Sequence, residues 1–213
     1  MRAKPRKSPT FHLERFRKAK LFVISAPSGS GKTTLCNKLL KDDLALARSV
    51  SMTTRPPRPG EKDGTDYHFV SEKYFKDTIK KNGFLEYEEN FGYLYGTPKA
   101  FIEKSLGKGR DVLLSIDVKG AMKVRGEYPD ESVFIFIIPP SVKTLKKRLQ
   151  SRRSEDGEAI STRLKLAKKE MAYKKRYDYT VINDRLGAAY KKLKAIIVSE
   201  LNLRRERRCK SST

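Results

Sequence analysis

The feature that constrains this chain most is a short apolar run that ends in a glycine-rich turn and continues as a helical pattern. Residues 21–25 read LFVIS, and the turn is Ala26-Pro27-Ser28-Gly29-Ser30-Gly31-Lys32-Thr33-Thr34. It matches the G-x-x-x-x-G-K-[ST] pattern except at the first position, where Ala26 replaces glycine. Apolar residues then follow at the spacing of one buried helix face, at Leu35, Leu39 and Leu40. The sequence therefore predicts a strand, a phosphate-binding loop and a helix.

Each part of this loop suits a triphosphate. Gly29 and Gly31 allow backbone N–H groups to converge on a phosphate, and the helix N-terminus adds partial positive charge. We predict that Lys32 contacts the β and γ phosphates and that the Thr33 hydroxyl binds Mg²⁺. Nucleotide binding alone does not name a reaction, because motors, GTPases and small-molecule kinases share this loop.

The rest of the chain predicts the fold. Apolar β-type runs recur at residues 111–117, 132–138 and 179–183, with helical patterns between them. This alternation predicts an α/β P-loop three-layer fold with a central parallel β-sheet covered on both faces. Prolines and glycines break up residues 55–98, which indicates a small inserted α+β subdomain. The polar stretch 152–157 between two basic helices predicts a mobile lid.

Composition and charge narrow the class of protein. The net charge is +23, and much of it lies at the two ends, where Lys and Arg outnumber acidic residues. No apolar run approaches the roughly 20 residues that span a bilayer, and the basic N-terminus lacks the apolar centre of a secretory signal. With only Cys36 and Cys209, we expect no disulfide framework, no zinc site and a cytoplasmic location; organelle targeting is a weaker hypothesis.

Several motifs beyond the phosphate loop occur in a fixed order. They are SMTTRPPRPGE at residues 51–61, GTDYHF at 64–69, FLEY at 84–87 and GYLYGT at 92–97. Together with the loop, they closely resemble guanylate kinases over residues 20 to 200. The resemblance implies an ATP:GMP phosphotransferase, which moves the γ-phosphoryl group of MgATP to GMP or dGMP in purine nucleotide metabolism and GMP recycling.

The resemblance also implies the acceptor site. The acceptor monophosphate is expected at two arginines and two tyrosines: Arg55, Arg58, Tyr67 and Tyr95. These groups suit phosphate oxygens, because guanidinium and phenol groups both donate hydrogen bonds. The guanine is expected at Glu86, Ser51 and Thr97, since a carboxylate accepts from both N1–H and the exocyclic amino group. Asp117 is expected near the acceptor ribose and the metal.

The lid and the donor base complete the expected site. Arg152 and Arg163 match family arginines that close over the transferring phosphoryl group, and Asn183 matches a residue near the adenine. The chain departs from the family pattern at Ser115, where an acidic residue is usual, and at Arg153, where glycine is common. The acceptor phosphate is already ionised at neutral pH, so we expect no general base. The catalytic residues are then Lys32, Arg55, Arg152 and Arg163.

We expect a basic N-terminal extension at residues 1–19, a kinase domain at 20–203 and a basic tail at 204–213. Within the kinase domain we predict a core (20–53, 98–150 and 166–203), a GMP-binding subdomain (54–97) and a lid (151–165). Three alternatives stay open. The chain could be a non-catalytic interaction module with this fold, or its basic ends could bind nucleic acid, which we do not expect, or its acceptor could be AMP or UMP.

Overall fold

A computed structural model of the protein describes residues 19–42, 44–150 and 157–210, and its centre is a five-stranded sheet. The strands of this sheet are β1 (Leu21–Ser25), β2 (Ala47–Arg48), β7 (Val112–Ser115), β8 (Ser132–Ile138) and β9 (Tyr179–Ile182). Their order is β2-β7-β1-β8-β9, and every neighbouring pair is parallel. The predicted parallel α/β sheet is confirmed. Only β2 had no sequence signal, because this two-residue edge strand contains no apolar run.

Helices cover both faces of the central sheet. They are α1 (Lys32–Leu40), α3 (Lys99–Gly107), α4 (Val118–Glu127), α5 (Val142–Gln150), α6 (Gly157–Met171), a short 3₁₀ helix (Ala172–Arg176) and α7 (Leu186–Lys210). Alternate residues of β1 enter different cores: Leu21 packs with Phe134 on one face, and Phe22 packs with Leu35 on the other. This double burial explains why the core strands read as continuous apolar runs.

A second, smaller sheet lies between residues 52 and 98. It contains β3 (Met52–Thr53), β4 (His68–Phe69), β5 (Phe84–Asn90) and β6 (Tyr93–Pro98), in the order β4-β3-β6-β5, with helix α2 (Glu72–Lys80) between β4 and β5. The Phe75 and Phe84 rings stack 4.4 Å apart. A Cβ at Gly96 would lie 2.8 Å from the Phe84 ring, so glycine lets strand β6 approach this small core.

The carboxyl ends of the parallel strands place the functional segments together. The phosphate loop follows β1, Asp117 follows β7 and Asn183 follows β9. Ligands of open parallel sheets bind at this edge, and the small sheet lies against it through a hydrogen bond from Asn90 to Asp117 (3.0 Å).

The positions of two helices, α6 and α7, can be compared with the predicted lid and the predicted C-terminal tail. Helix α6 begins at Gly157 and therefore includes the second half of the predicted lid, while Arg152 and residue 153 lie outside the described residues. Helix α7 continues to Lys210, into the stretch where we expected a tail. Among the described residues, no helix is both long and apolar enough to cross a membrane.

Candidate active site

The phosphate loop depends on glycine at two positions. Gly29 and Gly31 have φ angles of 84° and 86°, in the left-handed region that L side chains avoid. A Cβ at Gly31 would also lie 2.4 Å from the Asn183 side-chain nitrogen. Ala26, by contrast, is not among the residues with positive φ, so its methyl group fits. The alanine that breaks the motif therefore occupies the one fixed glycine position where the backbone does not require glycine.

Asn183 supports the loop from behind. Its side-chain nitrogen donates to the Ser30 carbonyl (2.8 Å), and its own carbonyl accepts from Arg148 (2.9 Å). The Asn183 side chain is buried. The resemblance placed this residue near the adenine, whereas its amide here contacts the loop. An adenine contact stays a prediction.

Lys32 lies at the start of α1 and points across the sheet edge. Its ammonium group donates to the Ile116 carbonyl (3.1 Å). Burial lowers its pKa, while nearby Asp117 and Glu170 act in the opposite direction. The next two residues, Thr33 and Thr34, are exposed on the first turn of the helix. Their hydroxyl groups are thus open to a ligand.

A carboxylate that the sequence analysis missed contacts this loop. One oxygen of Glu170, on α6, lies 3.4 Å from the Ser28 backbone nitrogen. Burial, together with the nearby Asp117 carboxylate, raises the pKa of Glu170 to about 7. In sequence, Glu170 follows two lysines on a basic helix and reads as a solvated charge. No local signal could have identified it.

The predicted phosphate-binding arginine Arg55 is held in place before any ligand arrives. Only 7% of it is exposed, and it donates to both carboxylate oxygens of Glu61 (2.9 Å each). Its guanidinium lies 5.6 Å from the Tyr67 ring centroid, and the Tyr67 ring meets Tyr95 edge-on at 5.9 Å. Glu61 also accepts from the Arg58 backbone nitrogen (2.8 Å). Glu61 is the last residue of the SMTTRPPRPGE motif, but its residue type and position alone predicted no role for it.

These side chains line a cavity of about 520 Å³ between α1 and the small sheet. Its lining includes five residues predicted for the acceptor, Ser51, Arg55, Arg58, Tyr67 and Tyr95, together with Thr33 and Ser115. The neutral Ser115 hydroxyl thus lines this cavity where the family usually has an acidic side chain.

Glu86 is a buried carboxyl group with two close neighbours. One oxygen accepts from the Thr97 hydroxyl (2.5 Å). The other lies so close to Gly120 on α4 that an added Cβ would be 2.5 Å from it. Burial raises the pKa of Glu86 to about 7. Gly120 was also missed, although a glycine inside a helix was a signal that could have identified it.

Asp117 caps helix α4, whereas its sequence pattern predicted the last residue of a strand. One oxygen accepts from the backbone nitrogens of Lys119 and Gly120 (2.9 Å each), and the other accepts from Asn90 (3.0 Å). Strand β7 already ends at Ser115. Both oxygens of this carboxylate are therefore hydrogen-bonded within the protein.

A second cavity, of about 240 Å³, joins the two halves of the site. Its lining combines residues that were predicted for the donor, the acceptor and the lid: Ser28, Lys32, Ser51, Arg58, Tyr67, Glu86, Tyr95, Asp117 and Arg163. Arg55 and Thr33 are not part of this set but line the larger cavity, Asn183 lies behind the loop, and Arg152 is outside the described residues. The remaining predicted base contact, Thr97, reaches the cavity through Glu86.

Comparison with known proteins identifies the family. The family profile for guanylate kinase matches residues 18–200. A guanylate kinase from Clostridium perfringens is 48% identical over 180 residues, which cover 84% of this chain and 83% of that protein. One from Caldanaerobacter subterraneus is 47% identical over 180 residues, with coverage of 84% and 87%.

A solved structure agrees with these relatives. The crystal structure of guanylate kinase from Anaplasma phagocytophilum matches with a TM-score of 0.73 at 33% identity, over 86% of this chain and 87% of that one. The resemblance first drawn from the ordered motifs is confirmed. Since the family profile and these relatives each cover most of its length, this chain belongs to the guanylate kinase family.

Proposed function

We propose that the protein transfers the γ-phosphoryl group of ATP to the phosphate of GMP. The loop at residues 26–34 would hold the ATP, and Arg55 and Arg58 would hold the phosphate of GMP. Phosphorylation of GMP by ATP is the activity of this family. The observation that supports these assignments is that Lys32 and Glu86 open onto one cavity. The residue proposed to contact the triphosphate and the residue proposed to recognise guanine therefore line the same cavity.

The chemistry requires positioning and charge stabilisation. The acceptor phosphate is ionised at neutral pH and is itself the nucleophile, so no side chain has to remove a proton. Lys32, Arg55 and Arg163 would neutralise charge that spreads over the transferring group. Arg152 stays a prediction for the same role. His68, on β4, lines neither cavity of the site, which is consistent with a mechanism that needs no base.

The residues around the loop fit a magnesium ion that arrives with ATP. Mg²⁺ prefers oxygen ligands and takes few from protein when phosphates supply the rest. The exposed Thr33 hydroxyl, which lines the larger cavity, is such a ligand. When bound, the ion would neutralise phosphate charge during transfer. Asp117 could contact a metal-bound water, because its oxygen that accepts from Asn90 keeps a further lone pair.

Base choice would depend on Glu86. In its ionised form, this carboxylate accepts from both N1–H and the exocyclic amino group of guanine, a pair that adenine lacks. Ser51 and Thr97 would add hydroxyl contacts. A base that left Glu86 unpaired would lose about 1–3 kcal/mol for each unsatisfied polar group.

The test is a coupled assay of ADP release with MgATP and each nucleoside monophosphate in turn. We expect turnover with GMP and dGMP and little with AMP or UMP. Glu86→Gln should reduce the preference for GMP over AMP, while Glu89→Gln, an exposed neighbour on the same strand, should not. Equal turnover with AMP and GMP in the unmodified protein would contradict the proposal.

The cellular setting is a separate proposal. We keep the cytoplasm as the expected location, because the two cysteines are far apart in sequence and Cys36 is a buried free thiol.

A further inference from the structure

The turn between β5 and β6 contains an unexpected residue. Phe91 and Gly92 form this two-residue connection, with φ angles of 53° and 76°. Positive φ at both positions is what a type I′ hairpin turn requires, and the preferred sequence for it is Asn-Gly. A bulky side chain at the first position is sterically unfavourable. The local fold therefore gives no reason for phenylalanine here.

The small sheet does not explain the residue by burial either. Phe91 is 54% exposed, whereas the core aromatics of this subdomain, Phe75 and Phe84, are buried. A strained, half-exposed aromatic residue at a turn calls for a functional explanation.

The ring does contact a residue on the other side of the cleft. The guanidinium carbon of Arg163, on α6, lies 4.9 Å from the Phe91 ring centroid, which is a cation–π distance. Both residues line the cavity that also contains Lys32 and Glu86. This contact joins the acceptor subdomain to the helix that includes the second half of the predicted lid.

We propose that Phe91 is a positioning residue that holds the Arg163 guanidinium over the site of phosphoryl transfer. This inference rests on the proposed role of Arg163. An aromatic face attracts a cation electrostatically, so the Phe91 ring favours this placement of the Arg163 guanidinium. Because Phe91 lies at the tip of the acceptor hairpin, closure of that subdomain would carry Arg163 with it.

The turn itself provides the test, because Phe91→Asn removes the ring and creates the preferred Asn-Gly turn. We expect a melting temperature equal to or above that of the unmodified protein. The kcat should fall by about 2- to 30-fold, the loss that corresponds to one cation–π contact, while KM for GMP stays within about twofold. Phe91→Tyr keeps an aromatic face and should retain kcat. Phe91→Leu keeps an apolar side chain without that aromatic face and should lower kcat as Phe91→Asn does. The leucine variant tests the proposal if Phe91→Asn fails to fold.

A double-mutant cycle shows whether Phe91 acts through Arg163. In an Arg163→Ala background, Phe91→Asn should cause no further loss of kcat. An equal loss in both backgrounds would overturn the proposal, as would unchanged kcat in both Phe91→Asn and Phe91→Leu. If Arg163→Ala alone leaves kcat unchanged, the role of Arg163 is wrong and the inference fails with it. Failure of the kinase assignment would look different, since the unmodified protein would then release no ADP with GMP.

Discussion

The site has two halves, and they differ in the groups that form them. We call the phosphate loop with the residues around it the donor half, and the part formed by the small sheet the acceptor half. The donor half is a backbone structure: a buried strand leads into a loop whose glycines have positive φ and whose Ser28 and Ser30 main-chain groups contact Glu170 and Asn183. The acceptor half is a side-chain structure on short strands, where Arg55 pairs with Glu61 and Glu86 with Thr97.

This difference indicates what each half can distinguish. Backbone N–H groups bind phosphate whatever base is attached, so a loop of this kind recognises a triphosphate and tolerates changes in its own side chains. A pair of side chains can match one arrangement of donors and acceptors on a base. We therefore expect the donor half to be sensitive to backbone geometry and cationic charge, and the acceptor half to be sensitive to single polar atoms.

The largest effect should come from removing the cation of the donor half. Lys32→Ala should lower kcat by about 100-fold or more, because one charged donor to the transferring group is lost. The affinity for GMP, measured by calorimetry, should stay within about twofold. Lys41→Ala, at the exposed end of the same helix, is the control and should match the unmodified protein. A Lys32→Ala variant with normal kcat would remove Lys32 from the mechanism.

In the acceptor half, binding of GMP should depend on pH through Glu86. Its pKa in the free protein is about 7, and the ionised form is the one proposed to bind guanine, so we expect binding to strengthen as pH rises through 7 and to weaken below it. We expect KM for GMP to rise about tenfold between pH 8 and pH 6. The GMP phosphate also titrates near pH 6, but this contribution is shared by Glu86→Gln, which should show a flatter profile. Parallel profiles for the two proteins would contradict the assignment.

A smaller effect is expected at the donor half from the carboxylate of Glu170. Its contact with the Ser28 N–H places negative charge beside the phosphate loop. Removing one such charge at a partly solvated site is worth on the order of 1 kcal/mol. Glu170→Gln should therefore bind MgATP about fivefold more tightly at pH 8, in calorimetry without GMP. Glu103→Gln, exposed on α3, is the control. Weaker MgATP binding by Glu170→Gln would mean that the carboxylate assists the donor.

The smallest effect tests the tolerance of the backbone loop. Ala26→Gly restores the usual motif at a position without positive φ, so we expect unchanged kcat and a loss of stability of about 0.4–1 kcal/mol from the more flexible unfolded chain. Thermal unfolding and the ADP-release assay measure both. Gly31→Ala is the contrasting variant, because its Cβ would collide with Asn183, and it should lose ATP binding. Equal behaviour of the two variants would contradict the argument from φ.

The sequence was most informative where the signal is local. The phosphate loop and the β1, β7, β8 and β9 runs are continuous in sequence, and each was predicted at nearly its observed position. The contact between Glu170 and Ser28 joins residues 142 positions apart, and no pattern in either segment indicates it. The same holds for Phe91 and Arg163, whose meeting depends on how the small sheet lies against α6.

Glu86 shows the limit of a resemblance. Its residue type and place in the FLEY motif predicted a guanine contact, but the raised pKa follows from burial, which no motif states. The strand before Asp117 was predicted two residues too long for a related reason, since the run 111–117 ends as a strand at Ser115. A single carboxylate after an apolar run suits either a strand end or a helix cap, and only its hydrogen bonds to Lys119 and Gly120 distinguish them.

Gly120 has a consequence for how selectivity could be lost. The Glu86 carboxylate fits only because residue 120 carries a hydrogen atom where every other residue type carries carbon. A single methyl group there would push the carboxylate toward the space where a base must enter, without altering any residue expected to contact the nucleotide. Under the role proposed for Glu86, the discrimination between purines is therefore vulnerable to a change on a neighbouring helix, and a search for relaxed specificity should include positions outside the ligand's own contacts.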